Sequence, residues 1–485
     1  MIKFGTDGWR AEIAREFTFD NLRYVSLATS RLIMSILEEK RKKKPTKPPS
    51  TSKKGRPVLP SCVLGYDTRF LSREFAFEVA MVLASQGVVV HLADDFASTP
   101  QVSFNTKQKN ANLGIVITAS HNPANYNGFK IKGAFGGPAT PEQIEVVEKE
   151  LSKIVAKPPV LKLLSFDEYV QQKMIRFFSA REPYIRVIRN QIDIEAIKAA
   201  NYKIAFDMMY GAGMKNIEQL QLDATFLHNE FNPSFGDLGH PEPIAENLSI
   251  LSQTVRTGKY DIGFAFDGDA DRLGAVDDLG NFVDSQKMFM IFLKYLVEIK
   301  KKRAPVVKTV SLTSMVDKYC ESKKLELIET PVGFKYIAEN MNKKSILIGG
   351  EESGGLATYL HIPERDGIFN AMLLLEVMTV RQKSLRELCN ELDEEFGTYR
   401  FLRKDKVVTQ KAKEAILATA KKGISKIGKE DVIKTSTKDG FKFFVEHGWV
   451  LIRASGTEPL IRFYAEADTH GRVVELINAV EKLSK

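Results

Sequence analysis

Short unbroken apolar runs alternate along this chain with longer stretches whose apolar positions recur every three to four residues. The runs "CVLGY", "VVVHLA" and "LGIVI" occupy 62–66, 88–93 and 113–117. Runs without polar alternation read as buried parallel strands, whereas the spacing in "SREFAFEVAMVLAS" (72–85) predicts a helix with one apolar face. Ser72 is the expected N-cap of that helix and Gly87 its stop. Strand, helix and strand with short connections form a right-handed parallel unit. "TPEQIEVVEKELSKIV" (140–155) predicts a further helix, with Thr140 as cap and Pro141 in its first turn.

The pattern recurs twice. "YKIAFDMMYGAG" (202–213) and "YDIGFAFDGDADR" (260–272) are strands running into turns, and "APVVKTV", "LELIETP" and "SILIGGEESG" follow, separated by helical stretches such as "SMVDKYCESKK". Near the end, "FKFFVEHGWVLIRASG" alternates as antiparallel hairpin strands do, before an amphipathic helix in "THGRVVELINAVEKLSK". The 485 residues exceed what one core usually serves. The chain therefore reads as α/β, with three α/β units and a smaller C-terminal α+β unit. The expected spans are 1–170, 171–281, 282–394 and 395–485.

Composition changes this picture little. Hydrophobic residues make up 44% and charged residues 27%, ordinary globular values. Cys62, Cys320 and Cys389 match no metal spacing and read as buried thiols in a reducing compartment. No apolar run is long enough to span a membrane and "MIKFGTDGWR" has no apolar leader, so a cytoplasmic protein is expected. The net charge of +9 suggests nucleic acid at first sight. However, residues 40–57, "KRKKKPTKPPSTSKKGRP", hold nine Lys or Arg and no acid, and without them the chain is near neutral. That segment reads as a solvated basic insertion, and no nucleic-acid or membrane partner is expected.

Three constellations carry chemistry. In "FDGDADR", Asp267, Asp269 and Asp271 alternate, and carboxylates so close repel unless a cation or protons intervene. Hard oxygen ligands suit Mg²⁺ or Ca²⁺. An EF-hand needs Gly at its sixth position, where this run has Arg272. In "RASGTEPLIR", Ser455, Gly456 and Thr457 offer backbone and hydroxyl donors, and Arg453 and Arg462 add charge, a pattern that suits phosphate. In "GGEESGG", Glu351 and Ser353 suit sugar hydroxyls, although the run reads equally well as a plain turn. Glycosidase chemistry from its carboxylates would leave the other two motifs unexplained.

The stretch "VITASHNPANYNGFKIKG" sets Ser120 beside His121. On an extended chain their side chains would face opposite ways, and no GxSxG elbow surrounds the serine. Beside a metal cluster and a phosphate cradle, a phosphate ester on Ser120 is the alternative to acyl transfer.

"FGTDGWR", "TASHNP", "DGDADR", "GEESGG" and "RASGTEP", in that order, closely resemble the α-D-phosphohexomutase family over essentially the whole chain. The basic insertion at 40–57 is the main departure. The resemblance implies three related α/β domains with mixed sheets and a C-terminal α+β domain around a central active-site cleft, and Ser120 carried as phosphoserine. It implies one Mg²⁺ per chain, held by Asp267, Asp269, Asp271 and the phosphate on Ser120. Transfer of that phosphoryl group to a sugar phosphate would give a bisphosphorylated intermediate, which turns over and returns its other phosphate to Ser120. Arg10, Lys130 and His121 are the implied candidates for charge sharing and proton transfer, with His121 equally able to hold the loop. Arg272 would touch substrate or phosphoserine. Glu351 and Ser353 would bind the sugar 3- and 4-hydroxyls, and Arg453, Ser455, Gly456, Thr457 and Arg462 the phosphate not being transferred.

Branches resembling the dual phosphomannomutase/phosphoglucomutases tend to carry His in the segment here reading "TPVGFKYI", and "GEMSGH" later; the glucosamine branch resembles "GEQSGH". Here Phe334-Lys335 and "GEESGG" look more like phosphoglucomutases, making Lys335 a candidate substrate contact. The expected reaction interconverts glucose 1-phosphate and glucose 6-phosphate through glucose 1,6-bisphosphate. Mannose phosphate, or both sugars, is the alternative substrate, and a Mg-dependent sugar phosphatase the alternative chemistry. The expected partners are hexose phosphates, for a monomer or homodimer.

Overall fold

The computed structural model describes residues 2–42, 59–454 and 460–482. Most of the basic insertion, 43–57, and the predicted phosphate-loop residues Ser455, Gly456 and Thr457 lie outside the described residues.

Three mixed sheets follow one plan. In the first, Ser61–Tyr66 pairs in parallel with Val89–Ala93 and with Leu113–Ile117, which in turn pairs antiparallel with Tyr126–Gly133. In the second, Ile204–Asp207 pairs in parallel with Ala224–Leu227 and Ile262–Phe266, and the latter pairs antiparallel with Leu273–Val276. In the third, Val306–Thr309 pairs in parallel with Leu327–Thr330 and Ile348–Gly350, and the latter pairs antiparallel with Leu356–Thr358. The connection from third to fourth strand carries Ser120 in the first sheet, the three aspartates in the second and Glu351 in the third. Three distant motifs therefore occupy one topological position. Each leaves the carboxyl end of a parallel strand, the edge where open α/β sheets bind ligands.

Two edges differ from the sequence reading. Ile175–Phe178 joins the first sheet beside Val89–Ala93, so that sheet extends past the boundary expected at 170. Phe282–Val283 likewise closes the second sheet, beyond residue 281. Both are short edge strands, too brief to signal their sheet by pattern. Trp9–Glu12 adds an antiparallel strand against Tyr126–Gly133, setting Arg10 opposite Gly128.

Helix Ser72–Ser85 begins without the expected cap. Ser72 instead donates its hydroxyl to Asp67 Oδ1 at 2.7 Å and accepts from Asn127 Nδ2 at 2.9 Å, so its oxygen is engaged away from the N–H groups of the helix end. Pro141–Ala156 forms as read, with Thr140 and Gln143 in a capping box. All three cysteines are buried. Among the described residues no helix is long and apolar enough to cross a membrane.

The cores of the first three domains merge into one apolar cluster, while the C-terminal antiparallel sheet and its helices bury their own. The C-terminal domain docks on the third through Trp449, Leu451 and Tyr464 against Val310. Lys442 lies in this junction, 2% exposed, donating to Val310 O at 2.7 Å with its amine 3.8 Å from the Trp449 ring centre. Burial, and then Lys308, push its pKa down to about 7, against weaker support from Glu466, Glu329 and Asp317. A lysine buried with a lowered pKa takes up a proton on unfolding, so stability gains as pH rises from about 7 toward the unfolded value of about 10.4. We expect wild type to gain on Lys442→Met across that window, by at most about 1.4 kcal/mol per pH unit. Thermal melts of both proteins between those pH values check this, and parallel curves would refute it.

Candidate active site

Ser120 sits in the left-handed region, with φ 55°, and is 1% exposed. This turn departs from the extended geometry assumed for the Ser-His pair, so Ser120 Oγ lies 3.4 Å from His121 Nδ1. Its shorter contact is the hydrogen bond it donates to Asp267 Oδ2 at 2.8 Å. The approach of the two loops is close. A Cβ on Gly268 would stand 2.4 Å from the Ser120 carbonyl oxygen, so this position excludes every side chain.

Asp267, Asp269 and Asp271 are all buried, with ligand oxygens within 4.8 Å of one another. Asp267 Oδ1 accepts from the backbone N–H of Asp271 at 2.9 Å and of Arg272 at 3.0 Å, which curls the run around it. Asp269 Oδ1 and Asp271 Oδ1 are buried without a hydrogen-bond partner. Burial, then Asp271 and Asp269, drive the Asp267 carboxyl well above the ordinary carboxylate range. Burial acts in the same sense on Asp269, but Lys130 and the Thr99 hydroxyl outweigh it and hold Asp269 low. Clustered hard oxygens, two of them orphaned, fit a small divalent cation.

Basic side chains surround this acidic centre. Lys130 Nζ lies 2.7 Å from Asp269 Oδ2, 3.2 Å from Asp271 Oδ2 and 2.9 Å from Asp7 Oδ2. Burial opposes its charge, but these three carboxylates raise its pKa above the ordinary lysine value. Arg365 reaches Asp271 Oδ2 at 2.6 Å, Asp7, and Glu351 Oε1 at 3.2 Å, joining the metal loop to the sugar loop. Ser353 donates to the same Glu351 oxygen at 2.9 Å. Burial raises the Glu351 pKa, and Arg365 offsets part of that.

Arg10 donates to Asn122 Oδ1 at 2.8 Å, at the rim of the Ser120 loop. Arg272 donates to Glu242 Oε1 at 2.8 Å, and His121 Nε2 stands 3.9 Å from that oxygen. Burial, then Arg272 and Arg10, push the His121 pKa well below its ordinary value, leaving a neutral imidazole near pH 7. Lys335 lies in the first turn of helix Phe334–Lys343 and lines a cavity of about 210 Å³ with Asp7 and Gly8.

The C-terminal sheet holds the remaining candidates. Arg453 and Arg462 face one another across adjacent strands; Arg453 donates to Asp439 Oδ2 at 2.8 Å and Arg462 lies 3.3 Å from Asp405 Oδ2. Arg403 forks onto Asp405 at 2.9 and 2.7 Å, and its charge also lowers the His121 pKa. The structure thus brings Ser120, His121, Lys130, Arg10, the aspartates and Arg272 into one cluster. Glu351 and Ser353 join through Arg365, and Lys335 lines a cavity that Asp7 also lines, while Arg453 and Arg462 stand on a separate sheet.

Sequence reasoning missed Asp7, Arg69, Thr99, Arg365 and Arg403. Asp7 lies within "FGTDG" and Arg69 just after a strand in "YDTR", positions that carry a usable signal. Arg365 is distant in sequence from Asp7, Asp271 and Glu351, which it touches, and no local pattern marks it.

Four family models match in order: phosphoglucomutase/phosphomannomutase alpha/beta/alpha domain I over 51–157, domain II over 182–280, domain III over 284–396 and the C-terminal domain over 404–483. A probable phosphoglucosamine mutase of Thermococcus gammatolerans is 33% identical over 429 residues, covering 87% of this chain and 90% of that protein. The phosphoglucomutase/phosphomannomutase of Thermococcus kodakarensis is 30% identical over 438 residues, with 87% and 90% covered. A crystal structure from Thermus thermophilus, carrying the provisional name phosphomannomutase, superimposes with a TM-score of 0.83 at 30% identity, covering 99% of this chain and 98% of that one. The fold and the site define a four-domain sugar-phosphate isomerase. The chain belongs to the phosphoglucomutase/phosphomannomutase family of α-D-phosphohexomutases.

Proposed function

We propose that this phosphohexomutase interconverts glucose 1-phosphate and glucose 6-phosphate, with Ser120 carrying the phosphoryl group. The observation that supports the reading best is the 2.8 Å hydrogen bond from Ser120 Oγ to Asp267, at the edge of a carboxylate cluster with two unpartnered oxygens.

Asp267, Asp269 and Asp271 would hold Mg²⁺, which when bound neutralises charge on the phosphoryl group. The chain's own residues position and discharge the rest. Lys130 brings a buried positive charge to the cluster and keeps its proton there. His121, neutral and beside Ser120 Oγ, is the group able to take up a proton as a sugar hydroxyl attacks. Arg10 and Arg272 line the same edge and add charge to hold the anion. Glu351 and Ser353 present an acceptor and a hydroxyl to the sugar. Arg453 and Arg462, with Ser455, Gly456 and Thr457, would bind the phosphate not being transferred. One phosphate site serves both half-reactions if glucose 1,6-bisphosphate turns over between them.

The substrate reading rests on Phe334-Lys335 and "GEESGG". A second reading, glucosamine phosphate, draws on the name of the Thermococcus gammatolerans relative. Purified protein with Mg²⁺ and a trace of glucose 1,6-bisphosphate is expected to show the highest kcat/KM on glucose 1-phosphate. We expect it to exceed mannose and glucosamine 1-phosphates at least about tenfold, the scale set by one substituent. A preference for either rival would overturn the glucose assignment. Release of inorganic phosphate without hexose 6-phosphate would overturn the mutase itself.

A further inference from the structure

We propose that Arg69 is a positioning residue for phosphoryl transfer, whose guanidinium holds the Ser120 loop at its distance from the carboxylates of 267–271. The proposal rests on the reading of Ser120 as the phosphoryl carrier. Arg69 Nη2 donates to Ser120 O at 2.7 Å and Asn122 O at 2.6 Å, and Nη1 to Pro123 O at 2.8 Å and Tyr126 O at 3.1 Å. Its Nε lies 3.2 Å from Asp67 Oδ2, and its side chain has no exposed surface.

A loop that turns four carbonyls inward leaves buried acceptors unless donors face them. The planar guanidinium presents five N–H groups in a rigid fork; a lysine offers three from one point and cannot span the same arc. The carbonyl of Ser120 matters most. It belongs to a residue held at φ 55°, and it is the atom against which Gly268 packs. Fixing that carbonyl fixes both the strained serine and its distance from the metal loop.

The same turn reaches the metal loop by a second route. Thr68 donates its hydroxyl to Tyr210 O at 2.7 Å, and nearby Ala212 N–H donates to Gly268 O at 2.8 Å. One turn at the end of Ser61–Tyr66 therefore ties the two reacting loops together. The equivalent turn of the second sheet shows that folding alone does not call for the arginine. There Asp207 Oδ1 accepts from Met209 N–H at 2.9 Å, as Asp67 Oδ1 accepts from Arg69 N–H at 3.0 Å, and the side chain at that place is an uncharged methionine.

The test uses the full chain with Arg69→Met, Arg69→Lys and Arg69→Ala. Arg69→Met is expected to lower kcat about 100-fold with KM little changed, the size of a positioning loss. Arg69→Lys should recover little of it, while millimolar guanidinium ion should restore part of the kcat of Arg69→Ala. Amide exchange over 118–127 should quicken in Arg69→Met, while the rise in melting temperature on adding Mg²⁺ persists. Wild-type kcat in Arg69→Met would overturn the proposal. So would a parallel fall of kcat and substrate affinity with a lowered melting temperature and no guanidinium rescue, since that marks general destabilisation. If wild type forms no phosphoenzyme by intact mass, the Ser120 reading fails separately. In that case unchanged exchange over 118–127 overturns the role of Arg69 as well, and quickened exchange upholds it as the clamp of this loop.

Discussion

Ser120→Ala is expected to abolish hexose phosphate isomerisation, with turnover reduced at least about 10⁴-fold, as when a covalent nucleophile is removed. Intact-mass measurement after incubation with glucose 1,6-bisphosphate should show a phosphoryl adduct on wild type and none on the variant. The reasoning is local. The hydroxyl is buried and pointed at Asp267, and its neighbour His121 is kept neutral by burial and two arginines. Among the described residues, two other buried hydroxyls lie at the cluster; Thr99 donates to Asp269 and Thr118 accepts from the backbone N–H of Ser120. Turnover within tenfold of wild type would refute Ser120 as the carrier.

Asp267→Asn should separate catalysis from folding. The asparagine keeps an oxygen to accept the backbone N–H groups of Asp271 and Arg272, so the loop can close. It removes a carboxylate from a buried cluster in which burial, then Asp271 and Asp269, raise the proton affinity of Asp267. Turnover is expected to fall about 10³-fold, the scale of losing several kcal/mol of charge stabilisation. Without added metal, the melting temperature should equal or exceed that of wild type, because like-charge repulsion is relieved. The stabilisation of wild type by Mg²⁺ should disappear in the variant. Chelation of wild type should reproduce the loss of turnover, and readdition of Mg²⁺ should reverse it. A variant that retained turnover and its Mg²⁺ response would remove Asp267 from the metal site.

Much of this molecule was legible from patterns confined to a few neighbouring residues. Buried strands such as Leu113–Ile117 and Ile262–Phe266 declare themselves as uninterrupted apolar runs, and helix Pro141–Ala156 through its capping box. The alternating aspartates were legible for the same reason, since their repulsion is set by spacing alone. Less legible was the strand Tyr126–Gly133, whose glycines, asparagine and lysines obscure the alternation while carrying Lys130 and Lys132 into the interior. The relation of Ser120 to His121 is not legible locally, because the backbone turns left-handed at Ser120 and brings together side chains that an extended chain would send apart.

By itself, the order of apolar runs and turns determined an α/β chain of repeated units, and the order of the motifs determined the phosphohexomutase family, with three aspartates that could hold a cation. Only the tertiary structure decided that the Ser120, aspartate and Glu351 loops are the same connection in three copies of one sheet plan, joined by the Ser120–Asp267 hydrogen bond and by Arg365. It alone decided that Arg365 joins Asp271 to Glu351, and that Arg69 underlies the serine. The physical reason is range. Strand and helix signals, and repulsion among close carboxylates, act over a few residues. A buried guanidinium meets its carbonyls or carboxylates only after sheets have paired and domains have packed.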